Sequence, residues 1–509
     1  MIGEWIAGPV AGKLLNPATE EVLAEVGGGP ASIGAALKWA RERGGTALRV
    51  MTFAERGDML RTLSRAVHAH RDELIGLAVA NGGNTRSDAK FDIDGASGTL
   101  AHYADLGAAL GATRVLTKGD GTQLGRSPRF WGQHVRVARA GVAVLVNAFN
   151  FPAWGIAEKA ACALLAGMPI LAKPATATAH VAHRLVEIFL ATGAVPPGAV
   201  QILVGPTGDL LDQLGGQDVL AFTGSSHTAR LLRGHARIVA ESVHVNVEAD
   251  SLNAAVLGPD VGPGTPTWDL FVGDVARDIT QKTGQKCTAI RRIFVCGERA
   301  GAVKEALAER LAAIKVGDPA RDEVTMGPLS TAQQRDDVRA GIARLAAEGR
   351  AIFGGDGTVA PIGVPSGKGF FVGPVLFEVD SGHDARALHA DEVFGPVATV
   401  APCVDAADAG ALVRRGGGGL VCSAYSDDRA FLTQLVGEIA PYHGRIYLGS
   451  AKVAGQTPGP GTALPQLLHG GPGRAGGGEE LGGLVGLGLY MQRTALEGDK
   501  ALIEAVVKG

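Results

Sequence analysis

Cysteine is scarce in this 509-residue chain, and its five cysteines follow no regular spacing. An odd number without a pattern argues against a disulfide framework and favours a reducing compartment. The sequence contains no Cys-x-x-Cys pair and no Cys/His cluster, so we predict no metal site. The N-terminus has no basic segment followed by a long apolar one, so we expect no signal peptide and predict a cytoplasmic protein.

Neither sign of charge is in excess, and long apolar runs are missing. Lys and Arg number 48 against 51 Asp and Glu, which gives a formal net charge of -3 and no reason to expect nucleic acid or a membrane surface as a partner. The longest apolar run, residues 160–172, is interrupted by Gly167 and Pro169 and is shorter than the roughly 20 residues of a membrane-spanning helix. The length predicts two or three globular domains.

What the chain does contain is a regular alternation of strand and helix signals. After extended pieces in residues 1–28 and an amphipathic helix over 56–79, a valine-rich run at 141–146 has the pattern of a parallel strand buried on both faces. Strand signals follow at 169–172, 200–204 and 219–222, with helix signals at 153–165 and 181–192, and a second cycle runs over 254–448. Such alternation predicts doubly wound sheets that bind ligands beyond the carboxyl ends of their strands.

Three segments lie outside this alternation. Residues 121–140 end in an alternating pattern typical of a projecting strand, and an apolar run that ends at Met491 is also compatible with a strand. Residues 471–476 match G-x-G-x-x-G, but they follow no predicted strand and open no βαβ unit. We therefore interpret them as a flexible loop, and the ordinary Rossmann fingerprint is absent.

The stretch with the clearest chemistry surrounds Cys287, which follows Lys286. Thiolate is the nucleophilic form of cysteine, and a nearby cation lowers the pKa of a thiol. A lone cysteine is more often a buried apolar residue, but four further loops at predicted strand ends accompany this one. Asn150 could cap a helix or donate to an oxyanion, and Lys173 could be merely solvated or bind a ribose or a phosphate. A small-residue turn at 223–226 could meet a pyrophosphate, and the acidic pair Asp391-Glu392, which precedes an apolar turn, could be merely a solvated loop.

Together and in this order, the loops resemble the aldehyde dehydrogenase superfamily over essentially the whole chain. The motifs that carry the resemblance are Asn-Phe-Pro-x-Trp at 150–154, Lys-Pro at 173–174, Phe-Thr-Gly-Ser at 222–225, Gly-Gln-x-Cys at 284–287 and Glu-x-Phe-Gly-Pro at 392–396. The resemblance implies an α/β fold with two doubly wound, Rossmann-like parallel-sheet domains and a small β oligomerisation element.

The resemblance also implies a division of the chain. The dinucleotide-binding domain would comprise residues 1–120 and 141–253, and the catalytic domain with the nucleophilic cysteine would comprise 254–455. The oligomerisation element would comprise 121–140 and 475–509, and we expect a homodimer.

Catalytic roles are carried over residue by residue. The resemblance makes Cys287 the nucleophile and gives the oxyanion to the Asn150 side chain and the Cys287 backbone N–H. Glu248 falls at the position of the general base, although residues 249–251 read Ala-Asp-Ser where the family usually has Leu-Gly-Gly. Glu480 corresponds to a glutamate that helps to relay protons.

Cofactor contacts follow in the same way. Lys173 would bind the adenosine ribose, Ser225 with Gly224 the pyrophosphate, and Glu392 the nicotinamide ribose. Phe394 would support the nicotinamide, and Phe149 would line the cleft. Members of the family that prefer NAD usually place a glutamate where this chain has Thr176. A carboxylate would repel a 2′-phosphate and a threonine can donate a hydrogen bond to it, so we predict NADP in preference to NAD.

The substrate class rests on two stretches, residues 248–253 and the glycine-rich tail 469–482. Both resemble the branch of the family that handles CoA-linked semialdehydes in aromatic catabolism, as in phenylacetate and benzoate degradation. The expected reaction is NADP-dependent oxidation of such an aldehyde to the acid through a cysteine thioester. The alternatives are a general aliphatic or semialdehyde dehydrogenase, an acylating enzyme that uses free CoA, and an inactive nucleotide-binding paralogue. The remaining cysteines, Cys162, Cys296, Cys403 and Cys422, are expected to be structural.

Overall fold

The computed structural model describes residues 5–6, 8–27 and 33–508. The helices are α1 Ile33–Trp39, α2 Thr46–Val50, α3 Phe53–Ala69, α4 Arg71–Gly82, α5 Arg86–Leu110, α6 Trp154–Ala166, α7 Ala179–Ala191, α8 Ser226–Arg233, α9 Ala236–Ala240, α10 Pro266–Thr280, α11 Ala300–Ala312, α12 Ala332–Ala346, α13 Ala387–Ala390, α14 Ala406–Arg414, α15 Arg429–Ile439, α16 Leu484–Leu489 and α17 Lys500–Lys508.

The strands are β1 Val10–Leu15, β2 Val22–Gly27, β3 Leu116–Gln123, β4 Phe130–Ala138, β5 Ala143–Val146, β6 Ile170–Lys173, β7 Val200–Ile202, β8 Val219–Thr223, β9 His244–Glu248, β10 Ala254–Leu257, β11 Arg292–Cys296, β12 Arg350–Phe353, β13 Val375–Glu378, β14 Val397–Cys403, β15 Gly419–Tyr425, β16 His443–Gly449, β17 Leu468–Gly470, β18 Glu479–Leu481 and β19 Met491–Asp499. Residues 1–4, on which the prediction of no signal peptide rests, lie outside the described residues.

The first parallel sheet has five strands in the order β7-β6-β5-β8-β9. Its central strand β5 is almost wholly buried, which explains the uniformly apolar sequence there. In the register of the sheet, Val146 lies opposite both Lys173 and Phe222. The carboxyl ends of these strands therefore meet along one edge, from which the motif loops with Asn150, Pro174 and Ser225 follow. The motif loop with Glu392 follows α13 instead, so its predicted place at a strand end is wrong.

The second sheet has seven strands in the order β12-β13-β14-β11-β10-β15-β16, and only β12 pairs antiparallel. Apolar residues cover both faces: one cluster contains Phe294 and Leu412, and another contains Phe271 and Ile293. The predicted α/β fold with two parallel sheets is confirmed.

A helical layer packs on the first sheet and is built from α3, α5 and α6. Thr52 and Glu55 form a reciprocal capping box at the start of α3. The predicted single helix over 56–79 is wrong, because His70 has a non-helical backbone conformation and separates α3 from α4. Helix α4 ends at Gly83, whose φ of 69° favours glycine.

Strands β3, β4 and β19 form a separate antiparallel sheet in the order β19-β4-β3. The projecting strand predicted within 121–140 is present as β4, but its sheet already begins at Leu116. The interpretation of the apolar run before Met491 as a strand is wrong, since residues 484–489 are helical and the strand begins only at Met491. A Cβ on Gly486 would lie 2.5 Å from the Leu481 carbonyl oxygen, so this helix packs too closely for a side chain there.

The loop that matches G-x-G-x-x-G joins β17 and β18, which pair antiparallel. It is packed rather than flexible, because a Cβ on Gly478 would lie 2.3 Å from the Val247 carbonyl oxygen at the end of β9. The loop also follows a short strand that the sequence did not reveal. It opens no βαβ unit, so the absence of a Rossmann fingerprint stands.

Cys296 and Cys403 lie opposite each other on the neighbouring strands β11 and β14 and are joined in a disulfide. The expectation of no disulfide is wrong for this pair, because 107 residues separate the two cysteines and only the register of the sheet brings them together. Among the described residues, no helix is both long and apolar enough to cross a membrane.

Candidate active site

Cys287 lies on the loop between α10 and β11, next to a strained turn. Lys282 and Thr283 have φ values of 52° and 56°, which side chains rarely adopt. A Cβ on Gly284 would lie 2.2 Å from the Gly395 carbonyl oxygen. The Arg291 guanidinium donates hydrogen bonds to the carbonyl oxygens of Gly284 and Gly395, each at 2.7 Å. The loop is thus held in one conformation that presents Cys287 half-buried.

The lysine beside the cysteine does not activate it. The Lys286 ammonium is buried and donates to Asp278 Oδ1 at 2.6 Å and to Gln281 Oε1 at 2.8 Å. Burial and the Glu248 carboxylate instead raise the pKa of Cys287 well above its ordinary value. The expectation that Lys286 lowers the pKa of the thiol is therefore wrong.

Two side chains from other elements face the thiol. Glu248 ends β9 and His469 lies on β17. His469 Nε2 is 3.2 Å from Glu248 Oε2 and 3.8 Å from Cys287 Sγ. His469 is the first residue of the glycine-rich tail, and its neighbours in sequence give no sign of this contact.

Glu248 and His469 form a buried ion pair. Burial alone would raise the pKa of Glu248, but the facing His469 and the more distant Lys159 outweigh it and lower this pKa to about 2. Burial also disfavours the charged form of His469, yet the Glu248 carboxylate raises the pKa of His469 above its ordinary value. Each partner thus favours the charged form of the other.

A second buried cluster lies directly behind Glu248. Lys159 Nζ contacts Glu158 Oε1 at 2.9 Å and Glu480 Oε2 at 3.0 Å, and Asn246 Nδ2 donates to Glu480 Oε1 at 3.3 Å. Burial and the carboxylates of Glu158 and Glu248 raise the pKa of Glu480 to about 8, although Lys159 opposes the shift. Lys159 and Glu158 were not predicted from the sequence. They are the only charged residues of the otherwise apolar helix α6, and this contrast could have identified them as candidates.

Asn150 is buried and lines the same cavity as Cys287. Its Nδ2 donates to the Gln285 carbonyl oxygen at 2.9 Å. It does not cap α6, because the Asp92 carboxylate accepts the hydrogen bonds from the backbone N–H groups of Ala153 and Trp154. The helix-capping alternative for Asn150 is thus wrong.

Cavities meet at Cys287 from two sides. The inner cavity has aromatic walls from Phe91, Phe151 and Trp154. It shares Phe91 and Trp154 with an outer vestibule of about 550 Å³. On the other side, a cleft of about 580 Å³ also reaches Cys287, and both volumes suit a small-molecule ligand.

Most residues predicted to bind the cofactor line this cleft: Phe149, Gly224, Ser225, Glu392 and Phe394. The rings of Phe149 and Phe394 meet edge to face, with centroids 5.9 Å apart. Burial raises the pKa of Glu392 to about 8; Arg291 opposes the shift and Asp250 adds to it. Glu392 Oε1 has no hydrogen-bond partner among the described residues, so it is available to a ligand hydroxyl.

Lys173 and Thr176 lie beside the cleft rather than in its lining. Lys173 ends β6 and its ammonium donates to the Pro174 carbonyl oxygen at 2.8 Å. Thr176 begins the short helical turn Thr176–Thr178, and Ala175 between the two is part of the lining. The predicted adenosine contacts therefore lie next to the predicted nicotinamide and pyrophosphate contacts.

Residues 5–492 match the sequence profile of the aldehyde dehydrogenase family. The chain belongs to this family. A 3,4-dehydroadipyl-CoA semialdehyde dehydrogenase of Aromatoleum evansii is 46% identical over 471 residues, which cover 92% of each chain. A succinate-semialdehyde dehydrogenase (NADP(+)) 1 of Mycobacterium ulcerans is 28% identical over 476 residues, 92% of this chain and 95% of its own. The resemblance seen in the sequence is confirmed, and the protein is an oxidoreductase that acts on aldehydes.

Solved structures show the same fold. A putative aldehyde dehydrogenase from Burkholderia cenocepacia has a TM-score of 0.84 at 23% identity, covering 98% of this chain and 96% of its own. Betaine aldehyde dehydrogenase from Staphylococcus aureus, in complex with NAD+, has a TM-score of 0.85 at 22% identity, covering 98% and 94%. The architecture is that of aldehyde dehydrogenases.

The run that departs from the usual family pattern is firmly held here. The Ala249 N–H donates to the Ala475 carbonyl oxygen at 2.9 Å. Asp250 accepts from the Ser226 N–H at 2.9 Å and from Ser226 Oγ at 2.6 Å, at the first turn of α8. The segment that carries Glu248 is therefore tied to the glycine-rich tail by its backbone and to α8 by the Asp250 side chain, which a glycine at this position would lack.

Proposed function

We propose that this aldehyde dehydrogenase oxidises a CoA-linked semialdehyde to the carboxylic acid through a thioester on Cys287, with NADP as the oxidant. The observation that carries the proposal is the overlap of two cavities. Asn150, Glu248 and Cys287 line both the inner cavity and the cleft that holds the predicted cofactor residues. An aldehyde and a nicotinamide can thus reach Cys287 from opposite sides.

The first half of the reaction uses Cys287 and Asn150. The Cys287 thiolate attacks the aldehyde carbon, and the oxyanion that forms accepts hydrogen bonds from Asn150 Nδ2 and the Cys287 backbone N–H. An amide group has two N–H donors, so Asn150 can keep its bond to Gln285 and still serve the oxyanion. NADP, when bound in the cleft, would supply the hydride acceptor, and the acyl group would then remain on Cys287 as the thioester.

The second half uses Glu248 as the general base for water. The contact with His469 lowers the pKa of Glu248 to about 2, and a carboxylate with so low a pKa accepts protons poorly, so loosening that contact would make Glu248 a stronger base. Glu480 lies on the other side of Glu248 and shares Lys159 with Glu158. We propose Glu480 as the group that passes this proton onward.

The cleft fits a dinucleotide. Ser225 caps α8, where backbone N–H groups can meet a pyrophosphate, and the unpartnered oxygen of Glu392 suits a ribose hydroxyl. Lys173 would bind the adenosine ribose, Phe394 would support the nicotinamide and Phe149 would line the cleft beside it. The preference for NADP over NAD rests on Thr176, whose hydroxyl can donate to a 2′-phosphate that a carboxylate would repel.

The CoA-linked substrate is supported by the name of the Aromatoleum evansii relative and by the outer vestibule. Gly95 and Gly98 leave the wall of the vestibule without side chains, and Arg277 contributes a half-exposed guanidinium that also pairs with the buried Asp274 at 3.4 Å. A wide entrance with a guanidinium suits a pantetheine arm whose far end carries phosphates.

A substrate panel tests this proposal. Initial rates of NADPH formation are measured with hexanal, a dicarboxylic semialdehyde and a CoA-linked semialdehyde. We expect the highest kcat/KM for the CoA ester, and we expect Arg277→Ala to lower kcat/KM for that substrate alone. Equal rates on all three aldehydes would instead favour a general aliphatic dehydrogenase, and absent turnover with intact NADP binding would favour an inactive paralogue.

We also propose the division of the chain given by the family resemblance, with residues 1–120 and 141–253 binding the dinucleotide and 254–455 carrying Cys287. Residues 121–140 and 475–509 would form the oligomerisation element of a homodimer. A monomer in light scattering at micromolar concentration would contradict the dimer. A cytoplasmic location agrees with the three free cysteines but not with the Cys296–Cys403 disulfide, and fractionation of the producing cells tests it.

A further inference from the structure

His469 touches both reactive groups of the site, although the reaction proposed above assigns it no chemical step. Its side chain is 6% exposed, and its Nε2 lies 3.2 Å from Glu248 Oε2 and 3.8 Å from Cys287 Sγ. A buried imidazole with this geometry can interact with the carboxylate and the sulfur at the same time.

The charges around His469 explain why a cation is needed there. Glu248 faces it from β9, Glu158 and Lys159 lie on α6, and Glu480 lies on β18. Lys159 already contacts Glu158 and Glu480. A thiolate on Cys287 would therefore add a negative charge beside the Glu248 carboxylate, and like charges at this distance disfavour ionisation.

We propose, on the basis of the function proposed above, that His469 is a further catalytic residue whose imidazolium is the counter-ion shared by the Cys287 thiolate and the Glu248 carboxylate. When the thiol ionises, the S–H bond breaks, the electron pair stays on sulfur and the proton passes to solvent water. His469 keeps its own proton throughout this step. Once the thioester has formed, sulfur carries no charge and the imidazolium faces Glu248 alone.

The test is the rate of alkylation of Cys287 by iodoacetamide at pH values from 7 to 10, without cofactor or aldehyde. Wild type is compared with His469→Gln and with His443→Gln, and a Cys287→Ser protein identifies the alkylated site by mass spectrometry. His443 is a matched control, since it is also a buried histidine, and its Nδ1 contacts the Ile439 carbonyl oxygen. Because no turnover is needed, the result stands even if the proposed substrate or reaction is wrong.

We expect His469→Gln to slow alkylation about tenfold or more at each pH, because below the pKa of the thiol the rate follows the thiolate fraction and one unit of pKa is a tenfold change. His443→Gln should leave the rates in place. Glu248→Gln should instead speed alkylation, because it removes the negative neighbour of the thiolate. A merely structural role for His469 predicts no such opposition.

An unchanged rate in His469→Gln would overturn the proposal. A change of the rate in the same direction in His469→Gln and Glu248→Gln would overturn it as well. If His469→Gln fails to fold, His469→Asn is measured in the same way, because it removes the same charge with a smaller side chain. The same two results would overturn the proposal.

Discussion

Replacing Lys159 with methionine should destabilise the protein, and the loss should grow as the pH rises. The Lys159 ammonium is fully buried and contacts carboxylate oxygens of Glu158 and Glu480 at 2.9 and 3.0 Å. Methionine keeps most of the volume but leaves these carboxyl groups, with Glu248 behind them, without their shared cation. The substitution thus isolates the charge of Lys159 from its packing.

The magnitude follows from the burial. Removing one partner of a buried ion pair costs about 3–5 kcal/mol. We expect the lower value, about 3 kcal/mol, at pH 7. The reason is that the raised pKa of Glu480, about 8, lets that carboxyl group hold a proton. A carboxyl group whose pKa is raised in the folded state makes the folded protein less stable as the pH rises. In the wild type this loss ends once Glu480 ionises near pH 8, whereas without Lys159 it continues. The difference should grow by about 1 kcal/mol between pH 7 and pH 9.

The assay is urea unfolding of both proteins at pH 7 and pH 9, followed by tryptophan fluorescence, since Trp154 lies on the same helix as Lys159. Lys38→Met is the matched control, because Lys38 contacts Glu42 at 3.9 Å with both side chains largely exposed. It should leave the unfolding midpoint in place. A loss below about 1 kcal/mol, or one equal at both pH values, would refute the reasoning about the buried cluster.

Three further outcomes are expected. Asn150→Ala should slow single-turnover NADPH formation about 10²- to 10³-fold, because it removes an oxyanion donor, and an unchanged rate would exclude that role. Thr176→Glu should lower kcat/KM for NADP about 10- to 100-fold through repulsion of the 2′-phosphate while NAD is little affected, with Thr176→Gln as the uncharged control. The affinity for NADP should rise between pH 7 and pH 9 as Glu392, whose pKa is about 8, becomes a carboxylate that accepts from the ribose, and titrations with Glu392→Gln should lack this dependence.

The sequence predicted those parts of the fold and site that depend on local patterns. Buried parallel strands such as β5 have apolar runs, and the loops with Asn150, Pro174 and Ser225 follow the carboxyl ends of strands, whereas Cys287 and Glu392 follow helices. The family resemblance named Asn150, Glu248 and Cys287 together, and the structure brings them to one cavity.

The remaining features depend on contacts between distant segments. His469 reaches Cys287 across 182 residues, and Lys159 reaches Glu480 across 321, so no local spacing could show either contact. The prediction for Lys286 was wrong for the same reason. The packing of α10 places Asp278 beside the Lys286 ammonium, so the lysine pairs with Asp278 and not with the adjacent cysteine.

The most direct test of the proposed reaction is a stopped-flow record of NADPH formation with a CoA-linked semialdehyde, for wild type and Glu248→Gln. The amide has nearly the same shape as the carboxylate but cannot take a proton from water. We predict a burst of about one NADPH per subunit in the variant, then a steady state about 10²-fold or more slower than wild type, with an acyl group on Cys287 detectable by mass spectrometry. An unimpaired steady state in Glu248→Gln would contradict Glu248 as the base and point to Glu480 instead.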